Sequence, residues 1–133
     1  MNAVDTLRET LSRDPRIAYA LIFGSAARGS SHADSDVDVA IGLHAGATLD
    51  ARDLGALVAD LERAAGRTID LVLLHEAPPA LAYRVFRDGI VVVEHDHRAL
   101  ADRKARAVLD YLDFQPLEAI VVKGALAAAA RGR

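Results

Sequence analysis

The chain has 133 residues, 52% of them hydrophobic and 26% charged, with a formal net charge of -3 and no cysteine. That length suits one domain with one modest core, and the composition excludes a disordered chain; no apolar run approaches a membrane span or carries signal-peptide flanks, so a soluble, cytoplasmic protein without a membrane partner is expected. The acidic balance disfavours a direct nucleic-acid substrate, which is normally gripped by a basic surface, and the lack of cysteine removes disulfides, thiolate zinc sites and thiol nucleophiles.

Val4, Leu7 and Leu11 repeat at helical spacing, which predicts an amphipathic helix over residues 3–12, ending before Asp14-Pro15. Ile17 to Phe23 is short, β-branched and aromatic, and reads as a buried strand that delivers Gly24-Ser25 to its C-terminal end. Val37 to Ile41 is a second strand, expected to end at Gly42. Thr48 or Asp50 can cap a helix whose Leu54, Leu57, Val58 and Leu61 form one apolar stripe, closing near Gly66. Thr68 to Leu74 is a third strand with one polar exception, Asp70, a carboxylate costly to bury unless it is paired or holds a metal. Pro78-Pro79 starts a short helix through Leu81, Val85 and Phe86 that Gly89 would end, and Ile90 to Val93 is a fourth strand. Leu100, Ala107, Val108 and Tyr111 mark a longer helix from about Asp96 to Leu112. Pro116 breaks it, and Leu117 to Ala130 begins another that either docks a partner or completes the core. Residues 1–95 are thus expected to form the core, and 96–133 a helical extension of the same domain.

The chemistry gathers between residues 23 and 42. Gly24-Ser25, ten residues, then Asp36-Val37-Asp38 is a spacing that random sequence of this size meets on the order of once in several hundred chains. Two apart on a strand, Asp36 and Asp38 project to one face while Val37, Val39 and Ile41 project to the other, so one face can hold cations while the other packs. Small residues at Gly24, Ser25 and Gly29 let backbone N–H groups approach phosphate oxygens; the Ser25 hydroxyl can add a bond, and Arg28 is a further phosphate contact. Magnesium takes carboxylate and phosphate oxygens, and a pair of such ions can clamp an in-line displacement at phosphorus. With Asp70 as a third carboxylate, two Mg²⁺ ions leave the site positive enough to hold a nucleoside triphosphate. Without metal, three converging carboxylates repel one another and are expected to titrate high.

These motifs resemble the polymerase-β-type nucleotidyltransferase superfamily, and the fuller forms Phe-Gly-Ser-Ala-Ala-Arg-Gly and Ser-Asp-Val-Asp-Val-Ala resemble the minimal nucleotidyltransferase (MNT) antitoxins. The resemblance covers residues 17 to 74. It implies an α/β (α+β) nucleotidyltransferase fold, a small mixed sheet backed by helices. Asp36 and Asp38 would ligate both metals, and Asp70 would ligate the catalytic metal and help activate the incoming hydroxyl. It further implies a hetero-oligomer with a HEPN ribonuclease toxin, silenced by transfer of AMP from ATP onto a toxin tyrosine with release of pyrophosphate. A domain this small has no lobe of its own for a large acceptor, which agrees with an acceptor supplied by a second protein. The competing readings are transfer to a small hydroxylated molecule such as an aminoglycoside, and a binding-only antitoxin that masks the toxin.

Other motifs carry less. His75-Glu76 cannot open a zinc-protease helix, because Pro78 and Pro79 follow and the second histidine is missing. His95-Asp96-His97 reads as a polar helix entry, and His32 as a loop residue. The chain has no Walker A sequence and no Arg-x(4–6)-His motif, which argues against a P-loop NTPase and against the chain being the HEPN toxin itself.

Overall fold

Asn2 opens the first helix by accepting a 2.9 Å hydrogen bond from the backbone N–H of Asp5, one of the donors that a helix start leaves unpaired. In a computed structural model the described residues are 2–27 and 36–113. Their elements are α1 (Ala3–Ser12), β1 (Ile17–Phe23), β2 (Val37–Leu43), α2 (Ala51–Ala65), β3 (Ile69–Leu73), a 3-10 turn (Leu74–Glu76), α3 (Pro79–Asp88) and β4 (Ile90–Glu94). A fourth helix, α4, covers 97–113. The sequence-predicted Arg28, Gly29 and His32, and the helix expected from Leu117 to Ala130 with its docking or core role, lie outside the described residues.

The four strands form one mixed sheet in the order β3-β2-β1-β4. β1 is antiparallel to both β2 and β4, whereas β2 and β3 are parallel, a pairing that requires the crossover α2 provides. Asp50 and Asp53 close a reciprocal capping box at the start of α2, and Gly66 ends it with φ 65. The α/β fold expected from the sequence is therefore the one observed.

Central β1 is buried at all seven positions because both faces of the sheet are covered. On one face Ile17, Ala20, Ile22, Val37, Val39 and Ile41 pack with Leu7 and Leu11 of α1 and Leu57 and Leu61 of α2. On the other, Ala18, Tyr19, Leu21, Phe23 and Ala40 pack with Ala82, Val85 and Phe86 of α3 and with Leu100 and Ala107 of α4. Asp96 caps α4, accepting from Ala99 N–H at 3.0 Å, and the Arg103 guanidinium donates to the Leu74 carbonyl at 2.9 Å, tying α4 to the end of β3.

Three details differ from the sequence expectation. β2 does not stop at Gly42 but runs through it to Leu43, pairing with Tyr19 and Ile17 of β1, and the Tyr19 ring takes the space a Cβ at Gly42 would need. β3 stops at Leu73, and Leu74 turns into the 3-10 segment with its side chain buried. The core does not end near Val93: α4 adds Leu100 and Ala107 to the second layer. Among the described residues, the Asp36/Asp38 face of β2 is thus open only at its start, and from Ala40 onward it is packed.

Candidate active site

β1 ends at Phe23, and Gly24 turns the chain with φ 74, a conformation that a side-chain-bearing residue adopts only at a cost. A second constraint acts on the same position. The Asp38 carboxylate lies where a Gly24 Cβ would be, with Oδ2 in the overlap. Residues 24–27 form a turn, with Ala26 and Ala27 packed against the first core layer and Ser25 half-buried. The turn thus holds its backbone over the start of β2, anchored by two small apolar side chains.

Asp38 is the register partner of Phe23 on one side and of Asp70 on the other. Because β2 and β3 are parallel and in register there, the Asp38 and Asp70 side chains emerge on the same face. Asp36 precedes β2 and is exposed, Asp38 is half-buried, and Asp70 is exposed on the edge strand β3. The burial penalty expected for Asp70 therefore does not arise. The carboxylate that pays it is Asp38, flanked by β1 and the α3 layer.

The Asp38 carboxyl is held above the ordinary carboxylate value. Burial is the main cause, Asp70 the next, and Asp36 adds a smaller push, while the positive charge of Arg84 acts in the opposite direction. Repulsion from its acidic neighbours therefore adds to a shift that burial dominates.

Among the described residues, no three His, Cys, Asp or Glu side chains converge closely enough to hold a metal ion as they stand. What the structure brings together is Asp38 with Asp70 beneath Gly24, with Asp36 near enough for its charge to be felt. Their chemistry fits a hard divalent cation: the donors are carboxylate oxygens, and both the burial of the Asp38 charge and the repulsion from Asp70 are costs that a cation would relieve. Arg28 and Gly29, the other proposed phosphate contacts, are outside the described residues.

Sequence reasoning missed Arg84. It sits on the exposed side of α3 with its guanidinium carbon 6.0 Å from the Phe23 ring centroid, beside the strand pair that carries Asp38. Helical periodicity shows that residue 84 is off the apolar stripe of α3. Only the packing of that helix over β1 brings it to the acidic group. Elsewhere, a concavity of about 700 Å³ lies between α1 and α2, lined by Thr10, Arg13, Asp60 and Arg63 among others, but it faces away from the carboxylates.

The family model described as polymerase beta, nucleotidyltransferase matches residues 5–98, which include all four strands and the carboxylates. Several solved structures share the fold. A chain of a toxin–antitoxin complex with AMP-PNP aligns with TM-score 0.75 and 22% identity, covering 92% of this chain and 98% of that one. A complex of tri-AMPylated Shewanella oneidensis HEPN toxin with MNT antitoxin aligns with TM-score 0.65 and 20% identity, covering 92% of each chain. A protein assigned as a minimal nucleotidyltransferase is 33% identical, with TM-score 0.55, over 68% of this chain and 95% of its own. No curated protein matches the chain. Among the described residues, no helix is long and apolar enough to cross a membrane.

Proposed function

The chain belongs to the polymerase beta nucleotidyltransferase family, and from that premise we propose that it is the antitoxin of a HEPN/MNT pair, an enzyme that transfers AMP from ATP to a tyrosine of its partner toxin and releases pyrophosphate. The observation that carries the reading is the Asp38–Asp70 register pair beneath the tight turn at Gly24. The likeness to a toxin–antitoxin chain crystallised with AMP-PNP supports ATP as substrate. The likeness to an MNT antitoxin in complex with an AMPylated HEPN toxin supports the acceptor.

In this mechanism Gly24 and Ser25 present backbone N–H groups and a hydroxyl to the triphosphate, with Arg28 and Gly29 continuing the cradle. Asp36, Asp38 and Asp70 supply the oxygens that would hold two Mg²⁺ ions. When bound, the metals would neutralise the crowded carboxylates and draw off the charge that develops on the phosphates. The acceptor oxygen attacks the α-phosphorus in line, a new P–O bond forms, and the bond between the α-phosphorus and the bridging oxygen to β breaks. Pyrophosphate leaves with that oxygen. The proton of the attacking tyrosine passes to a carboxylate of the site; we assign that role to Asp70, which is exposed on the edge strand β3 and the register partner of Asp38.

In this reading the acceptor comes from a second protein. The four-stranded sheet is packed on both faces by the chain's own helices, and the carboxylates lie at a corner where, among the described residues, Asp36 and Asp70 are exposed. A partner protein docking at that corner completes the site. The test is pyrophosphate release by the purified chain with ATP and Mg²⁺, alone and with the HEPN partner. Release that requires the partner supports protein adenylylation. Equal release without it, or none with it, contradicts the reading.

A further inference from the structure

Arg84 carries a charge that the acidic residues alone do not explain. Among the described residues it makes no ion pair, and it is exposed on α3. Its neighbour one turn on, Arg87, is held by two bonds to Asp88, at 2.9 and 3.0 Å, and so is already neutralised. The Arg84 guanidinium instead leans over Phe23, the register partner of Asp38 and the residue before Gly24. Arg84 also lines a concavity of about 370 Å³ with Leu81, Tyr83, Arg87 and Tyr111, where the two tyrosine rings stack at 4.0 Å and 3°. Arg84 therefore lies close enough to Asp38 for its charge to be felt and also borders an open space large enough for a small anion. The carboxylates repel phosphate unless cations intervene, and Arg84, exposed beside Phe23 and lining the concavity, offers a polyphosphate at this corner a positive side chain. A guanidinium is planar and donates two parallel hydrogen bonds to phosphate oxygens.

We propose that Arg84 holds the β- and γ-phosphates of the nucleotide, and the pyrophosphate they become, at the mouth of the concavity it shares with Tyr83 and Tyr111. This rests on the nucleotidyltransferase reading above and adds a residue to it. Arg84 thereby distinguishes a triphosphate from a monophosphate and steadies the leaving group, while the carboxylates act at the α-phosphorus.

The experiment is calorimetric titration of the full chain with ATP, AMP and inorganic tripolyphosphate, each with Mg²⁺, comparing wild type, Arg84→Ala and Arg84→Lys. Because Arg84 is exposed on a helix, both variants should keep the wild-type unfolding temperature. The expected result is a loss of about tenfold or more in ATP and tripolyphosphate affinity for Arg84→Ala. AMP binding stays unchanged, and Arg84→Lys recovers only part of the loss. Wild-type affinity of Arg84→Ala for ATP and tripolyphosphate overturns the proposal. So does an equal loss for AMP and ATP, which would mean that Arg84 merely balances the charge of Asp38. Should the wild type hold tripolyphosphate through Arg84 yet fail to bind ATP, the nucleotide reading falls and the polyphosphate site stands. If wild type binds none of the three, both fall.

Discussion

Asp38 and Asp70 are register partners on the parallel strands β2 and β3, and their carboxyl groups share one face of the sheet. Asp38 bears the cost of that arrangement. Its own burial and, after that, its neighbour's charge hold its carboxyl above the ordinary carboxylate value, so ionising it opposes folding.

The sign of the effect is set by that direction. Below the ordinary carboxylate value Asp38 is protonated in both folded and unfolded states and costs nothing. As pH rises from that value to the higher folded one, the unfolded chain releases the proton first, and stability falls; at neutral pH the full deficit is present. Asp38→Asn should therefore raise the unfolding temperature of the metal-free protein at pH 7 by a few degrees while abolishing transfer. Mg²⁺ should stabilise the wild type and leave the variant unmoved. Thermal unfolding with and without Mg²⁺ checks this, and a lower unfolding temperature for the variant would contradict it.

Asp70→Asn separates chemistry from folding. Asp70 is exposed, so the substitution should change stability by no more than about 0.5 kcal/mol. If Asp70 accepts the acceptor's proton, transfer should slow by about 10² to 10⁴. Single-turnover rates beside urea denaturation curves measure both quantities on one preparation.

Gly24→Ala tests the turn. The new methyl would overlap the Asp38 carboxylate, and the residue would also sit at φ 74. Either Asp38 or the turn must move, and a displacement of that kind at a reacting centre can cost on the order of a hundredfold in rate. Wild-type transfer by Gly24→Ala would mean that the turn does not set the Asp38 position.

Away from the site, Asp14 fastens the turn from α1 into β1. It accepts from Arg16 Nε at 2.9 Å, from a terminal guanidinium nitrogen at 2.6 Å and from the Arg16 backbone N–H at 3.0 Å. The hydrogen bond from Arg16 holds its carboxyl below the ordinary value against an opposing burial effect. This stabilisation is present above the ordinary carboxylate value and is lost as pH falls through the lower folded one. Asp14→Ala should cost about 1 kcal/mol at pH 7, a figure reduced for the partial exposure of Arg16. The deficit should shrink in acid, as urea denaturation at several pH values would show, with the transfer rate unchanged.

Much of this architecture is legible in the chain. The α1 and β1 spans coincide with their apolar periodicity, and the capping residues Asp50 and Gly66 mark the ends of α2 by local chemistry alone. Gly42 misleads because its role is not local: it makes room for Tyr19, twenty-three positions earlier in the chain. Asp70 is recognisable as the acidic exception in a strand, but its exposure depends on β3 being the sheet edge, which the residues of β3 do not encode. Arg84 has no motif at all. Its relevance exists only once α3 lies across β1, so a pattern read along one segment cannot reach it.

The central claim is catalytic silencing, and the most direct measurement is the intact mass and ribonuclease activity of the HEPN partner after incubation with ATP, Mg²⁺ and a substoichiometric amount of this chain. The account predicts that the partner gains one or more AMP increments on tyrosine and loses ribonuclease activity, and that the Asp36→Asn, Asp38→Asn double variant produces neither change. A partner of unaltered mass, neutralised only at equal amounts and equally well by the double variant, would contradict it and leave docking as the mechanism.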